Sequence, residues 1–193
     1  MKSDIKPNEI AIIIPAFNEH KNIEKLIHRI NYYIKNPKIV LVDDSPGFDT
    51  SDIIKRKKIK VRYYHRKLKK GRGSAVIFGI KKIINDNIIK AFIEMDADLS
   101  HAPEEIIRNL NYFFNNNSDL LISSRYLKKR KIINWPLSRR ILSYVANKLA
   151  RLLLSIPVTD YTNGFRIYSR NSCKVILNKC GRIGDGFIIL SEI

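Results

Sequence analysis

The chain has 193 residues, 45% of them hydrophobic, and a net charge of +18 from 36 basic against 18 acidic side chains. That length suits one globular domain with a sizeable core, and no apolar run approaches the roughly 20 residues of a membrane span. The charge calls for an anionic partner or reflects a composition rich in Ile, Lys and Asn. Phosphorylated substrates and an anionic membrane surface fit it, whereas nucleic acid does not, because no helix-turn-helix, zinc-finger or RNP-type pattern is present.

In chain order, the polar N-terminus MKSDIKPNEI does not read as a secretory leader. IAIIIP (10–15) then reads as a short buried strand of a parallel sheet. Ile23, Leu26, Ile27, Ile30 and Ile34 follow at the spacing of a helix with one apolar face. KIVLVDD (38–44) is a second strand and VRYYH (61–65) a third. SAVIFGIKKII (74–84) predicts a helix and KAFIEMD (90–96) a fourth strand. PEEIIRNLNYFF (103–114) is a helix with Pro at its first turn and Glu104 and Glu105 suited to its dipole. DLLISSRY (119–126) is a fifth strand, and 138–154 a longer amphipathic helix after the basic loop LKKRKIINW (127–135). Alternation of this kind predicts an α/β fold, a mostly parallel sheet with helices on both faces.

Ligands of open α/β sheets bind beyond the carboxyl ends of the strands. Pro15-Ala16-Phe17-Asn18-Glu19, Asp43-Asp44-Ser45, Asp96-Ala97-Asp98 and Ser124-Arg125-Tyr126 each follow a predicted strand, so four strand ends deliver polar groups to one edge. In an extended segment Asp96 and Asp98 point to the same side. Together they suit a hard cation, Mg²⁺ or Mn²⁺, with positions left for phosphate oxygens and water; a capped turn is the rival reading, Asp being a common turn residue. His20, His28, His65 and His101 lack zinc-ligand spacing, and Cys173 and Cys180 read as free thiols of a reducing compartment.

The segments IIIPAFNE (12–19), VDDS (42–45), KKGRGSA (69–75), MDADLSH (95–101), SSRY (123–126), WPLSRRILS (135–143) and DYTNGFRIYSR (160–170) stand in an order and spacing that carry a resemblance. They resemble the family 2 glycosyltransferases with the GT-A fold, and within them most closely the dolichyl-phosphate (polyprenyl-phosphate) mannose synthases. The resemblance implies a single glycosyltransferase domain over 1–193, short at its C-terminal end relative to the family. It implies that Pro15, Phe17 and Glu19 line the base and ribose of a nucleotide, with Asp44 near the base and Gly71 and Gly73 in a loop beside the donor, a helix-start turn being the other reading of the two glycines. Asp96 and Asp98, with Ala97 between them, match the metal-holding D-x-D on the sugar-nucleotide diphosphate, and Ser100 stands where relatives carry Gln or Ser. Arg125 and Arg139 match residues that bind the acceptor lipid phosphate. Asp160 opens a stretch near the sugar, and Arg166 orders that turn.

The reaction so implied is inverting, metal-dependent transfer of a sugar to dolichyl or polyprenyl phosphate on the cytoplasmic face of a membrane. GDP-mannose is the leading donor and UDP-glucose the alternative. The acceptor is itself anionic, with a second phosphate pKa of about 6, so it needs little help from a base. Transfer to a glycan hydroxyl, the competing reading, requires one, with Asp160 or Asp185 as candidates. A nucleotidyltransferase or a non-catalytic basic binding protein is a third reading, although PAFNEH after the first strand is not the glycine-rich, lysine-bearing loop of a nucleotidyltransferase. DDSPGFDT departs from the family's D-D-G-S-x-D-G-T after the second strand.

Overall fold

The computed structural model describes residues 5–67, 71–126, 143–145, 147–148, 151–152 and 158–181. A six-stranded sheet forms the middle layer: β1 (Ile10–Ala16), β2 (Lys38–Asp43), β3 (Arg62–His65), β4 (Ala91–Glu94), β5 (Leu120–Ile122) and β6 (Arg166–Tyr168), in the order β3-β2-β1-β4-β6-β5. β1, β2, β3 and β4 pair in parallel, while β6 runs antiparallel to both β4 and β5. β5 therefore points the same way as β1–β4 but is separated from β4 by the reversed β6.

Every residue of β1 is buried, which both faces of a sheet can require only when helices cover both. On one side Ile10, Ile12 and Ile14 pack with Ile23, Leu26 and Ile30 of α1 (His20–Tyr33) and with Leu110 and Phe113 of α4 (Ile106–Asn115). On the other, Ala11 and Ile13 pack with Val76 and Ile80 of α3 (Arg72–Ile83) and with Cys173 and Ile176 of α5 (Arg170–Lys179). Pro15 sits inside β1 without loss of a ladder bond. Ile13, two residues back, points its carbonyl at Met95 on the β4 side, and pairing with β4 ends at Ile13, so the proline nitrogen faces past the end of that ladder.

Three elements add to the sequence reading: α2 (Asp49–Arg56), β6 and α5. α2 carries Asp49 and Asp52 in its first turn and Lys55 and Arg56 in its last, charges that favour the helix dipole. α5 is capped by Ser169, whose hydroxyl accepts the Ser172 N–H at 3.1 Å. The expected strand over 119–126 is ordered into the sheet only at Leu120–Ile122. The basic loop 127–135 and most of the helix expected over 138–154 lie outside the described residues; 143–145, 147–148 and 151–152 are helical.

Gly79 lets α3 lie close to β1. A Cβ there would stand 2.5 Å from Ile13 Cγ2, nearer than packed carbon atoms approach. Gly79→Ala should therefore lower stability by about 1–2 kcal/mol in urea unfolding, overpacking outweighing the better helix propensity of alanine. A stabilised variant would contradict this packing.

Candidate active site

The parallel strands β1, β2, β4 and β5 end on one edge, and β6, running the other way, begins there. The D-x-T-N-G-F-R stretch that precedes β6 is thereby delivered to the ends of β4 and β5.

At the β2 end, Asp43 is fully buried and accepts the Ser45 N–H at 3.0 Å, the Ser45 hydroxyl, and the Tyr63 hydroxyl at 3.1 Å. Burial raises the Tyr63 pKa, and Asp43 reinforces it. Ser45 Oγ also takes the Asn18 N–H at 2.8 Å, where Asn18 turns the chain with φ 59. The His65 ring meets the Ser45 carbonyl at 2.8 Å. DDSPGFDT is thus held to β1 and β3 without the family's glycine after its two aspartates. Asp44 is clasped by Arg66, Nε to Oδ1 and Nη2 to Oδ2 both at 2.5 Å, and Arg66 reaches on to the Ser74 hydroxyl at 2.9 Å in α3. Glu19, at the start of α1, accepts from the Asn22 side chain at 2.6 Å, and Phe17 lies exposed beside it.

At the β4 end the chain turns. The Asp96 N–H donates to His101 Nδ1 at 3.0 Å, Leu99 adopts φ 63, and Asp98 Oδ1 accepts the Ser100 N–H at 2.9 Å. The capped turn and the acid pair are therefore one structure rather than rival readings. Burial lowers the His101 pKa, Arg72 adding to that and Asp96 opposing it. Its Nδ1 is an acceptor, so the proton of the neutral ring sits on Nε2, 3.6 Å from Asp96 Oδ2. Ala97 is buried in the core, which fixes the backbone between the two acids, and Asp98 is exposed.

Arg72 opens α3 after Gly71, whose φ of 78 only glycine adopts freely. Its guanidinium reaches Asp96 Oδ1 at 2.6 Å, Glu94 Oε1 at 2.5 Å and the Gly164 carbonyl at 3.3 Å. Burial works against the charge on Arg72, but Glu94 and Asp96 more than offset it and hold its pKa above the ordinary arginine value. The other Glu94 oxygen accepts the hydroxyl of Tyr168 in β6.

At the β5 end, Asp160 is wholly buried and accepts from Arg125 through Nε at 2.8 Å, Nη2 at 2.7 Å and the backbone N–H at 2.9 Å. Arg125 also donates to the Thr162 hydroxyl at 2.7 Å. Asn163 donates to the Ser123 carbonyl, and Asn147 accepts the Tyr161 N–H at 2.6 Å. Arg166, buried in β6, donates to the carbonyls of Asn163 at 2.9 Å and Tyr161 at 2.6 Å, which ties down the turn it follows.

The edge brings together Pro15, Phe17, Glu19, Asp44, Gly71, Asp96, Ala97, Asp98, Arg125 and Asp160; Arg139 and Asp185 lie outside the described residues. Asp96 and Asp98 supply hard oxygen donors of the kind Mg²⁺ and Mn²⁺ take. Among the described residues no third acid, His or Cys joins them, so a metal there would draw its other ligands from phosphate and water. Sequence reasoning missed Arg66, Arg72 and Glu94. Glu94 was the detectable one, since an acid inside the apolar run AFIEMD demands a buried partner.

Residues 11–177 match Glycosyl transferase family 2. Polyprenol monophosphomannose synthase of Mycolicibacterium smegmatis is 34% identical over 171 residues, 86% of this chain and 64% of that protein. Dolichol-phosphate mannosyltransferase of Pyrococcus furiosus is 38% identical over 192 residues, covering 96% of this chain and 52% of the relative. Undecaprenyl-phosphate mannosyltransferase of Micrococcus luteus is 31% identical over 182 residues, 92% and 74% of the two chains. The chain thus spans about half to three quarters of the length of these curated relatives. Glucosyl-3-phosphoglycerate synthase from Mycobacterium tuberculosis has a similar fold, with TM-score 0.69 and 15% identity over 98% of this chain and 65% of that one. A structure of the same enzyme with Mn²⁺, UDP-glucose and phosphoglyceric acid matches 84% of this chain and 56% of that one at TM-score 0.61 and 18% identity. These likenesses establish a GT-A-like fold.

Asp160→Ala should cost about 3 kcal/mol in urea unfolding, because it strips a half-buried arginine of its carboxylate. A loss below about 0.5 kcal/mol would mean that the Arg125–Asp160 pair does not hold the β5 end.

Proposed function

The chain belongs to glycosyl transferase family 2, and from that premise we propose that it moves a sugar, mannose by preference, from a nucleotide-diphosphate donor to a polyprenyl phosphate. The names of its curated relatives support the acceptor class. The observation that carries the choice of a phosphate over a hydroxyl acceptor is the Arg125–Asp160 pair. A hydroxyl acceptor would need a base, and Asp160 is buried with both oxygens engaged by Arg125. That arrangement suits a carboxylate that holds an arginine in place. An arginine so held is a fixed positive charge of the kind that attracts phosphate oxygens.

In this reading Asp98, with Asp96 beside it, holds Mg²⁺ or Mn²⁺, which when bound neutralises charge on the departing nucleoside diphosphate. Pro15, Phe17, Glu19 and the locked 43–45 turn border the nucleotide, and Gly71 brings the α3 backbone to the donor. Arg125, joined by Arg139, orients the acceptor phosphate. Its oxygen attacks the anomeric carbon as the carbon–oxygen bond to the diphosphate breaks, with inversion, and gives a β-linked sugar phosphate lipid. No proton has to be removed, since the phosphate is already ionised near neutral pH.

The acceptor places the enzyme at the cytoplasmic surface of a membrane. No helix among the described residues is long and apolar enough to cross one. The helical residues 143–145, 147–148 and 151–152 expose Tyr144, Val145, Lys148, Arg151 and Leu152, a mixture suited to an anionic interface.

The test is a screen of GDP-mannose and UDP-glucose with Mn²⁺ or Mg²⁺ and a polyprenyl phosphate, comparing wild type with Asp98→Ala. Transfer should fall about a hundredfold or more in the variant, while its stability changes by no more than about 1 kcal/mol, the scale of the one hydrogen bond to Ser100 that it loses at an exposed turn. Unchanged transfer would remove Asp98 from the site. Transfer to a sugar hydroxyl but to no lipid phosphate would favour the glycan-extending reading.

A further inference from the structure

Asp96 has two claims on it. It is one of the two acids offered to a divalent cation, and it also anchors Arg72, whose Nε lies 2.6 Å from its Oδ1. A guanidinium and a hard cation compete for the same oxygen. Nor is the contact a loose surface pairing. The Arg72 side chain is only 13% exposed and Glu94 not at all, and they meet at 2.5 Å. Gly164 leaves the room for it, since a Cβ on residue 164 would collide with Arg72 Nη2.

We propose that Arg72 is a built-in competitor for the divalent cation at Asp96, so that the Glu94–Arg72 pair sets how tightly the site binds its metal. The inference rests on reading Asp96 and Asp98 as the metal-holding pair. Arg72 is shared between two acids. Glu94 draws the guanidinium inward, off Asp96, and Asp96 draws it outward. Weakening Glu94 hands more of Arg72 to Asp96. Removing Arg72 together with the Glu94 charge frees the Asp96 oxygen without altering the net charge of the site. The two changes therefore move metal affinity in opposite directions, which damage to the fold would not do.

The experiment measures Mn²⁺ binding to the full chain by electron paramagnetic resonance of the free ion, without nucleotide, for wild type, Glu94→Gln and Glu94→Gln/Arg72→Gln. The glutamine keeps the side-chain shape and an oxygen for the Tyr168 hydroxyl. Glu94→Gln should bind Mn²⁺ severalfold more weakly than wild type. The double variant should bind on the order of tenfold more tightly than wild type, the scale of one charge-assisted hydrogen bond; binding seen only in the double variant is the strongest form of that result. Wild-type binding that the double variant fails to exceed, or that Glu94→Gln leaves equal or tighter, overturns the proposal. If the double variant does not fold, Glu94→Gln decides alone. Absence of Mn²⁺ binding in all three, both alone and in a repeat with GDP or UDP present to supply phosphate oxygens, overturns the metal reading itself, and this inference with it, which separates the two failures.

Discussion

A carboxylate buried inside a β-sheet must meet a positive charge, and at Glu94 that requirement organises the molecule. The last residue of β4 is fully buried, and its partners come from distant parts of the chain. Arg72 arrives at the start of α3, and Tyr168 arrives from β6. Arg72 in turn requires a glycine at position 164, in the loop that enters β6. One buried charge thus joins a helix, two strands and a loop, and the acids at positions 96 and 98 hang directly from the end of that assembly.

Topology does the rest. Parallel strands present their carboxyl ends to one edge, and the reversed β6 brings an entering loop to the same place. Each strand end is then fixed by a charge or hydroxyl latch: Asp43 with Ser45 and Tyr63, Asp44 with Arg66, Asp96 with Arg72, and Asp160 with Arg125. A rim of loops would otherwise be the softest part of such a fold. Here its polar groups are oriented from within the protein, which is the preorganisation that the proposed transfer between two anionic substrates would use.

Much of the fold was legible because burial writes a period into the sequence. IAIIIP and KIVLV read as strands, and α1 and α4 as helices, since each presents enough apolar residues to count. α2, β6 and α5 escaped. β6 has three residues, too few for alternation, and α2 is an eight-residue helix whose signal lies in terminal charges rather than an apolar stripe. The antiparallel insertion of β6 between β4 and β5 is a property of pairing, which no local pattern carries. The candidate site divides in the same way. Polar residues after predicted strands pointed to Asp44, Asp96, Asp98 and Arg125. Their partners Arg66 and Arg72 were hidden, because Arg72 reads locally as part of a glycine loop and acquires its meaning only when the fold brings Asp96, 24 positions further on, to it.

The central claim, that these strand ends form a metal-assisted nucleotide site, is tested most directly by calorimetric titration of GDP and UDP into the protein with Mn²⁺ and again with the metal chelated. Binding of one nucleotide that depends on Mn²⁺ and is lost in Asp98→Ala is the predicted result. Nucleotide binding that is equal with and without metal, and indifferent to Asp98, would contradict it.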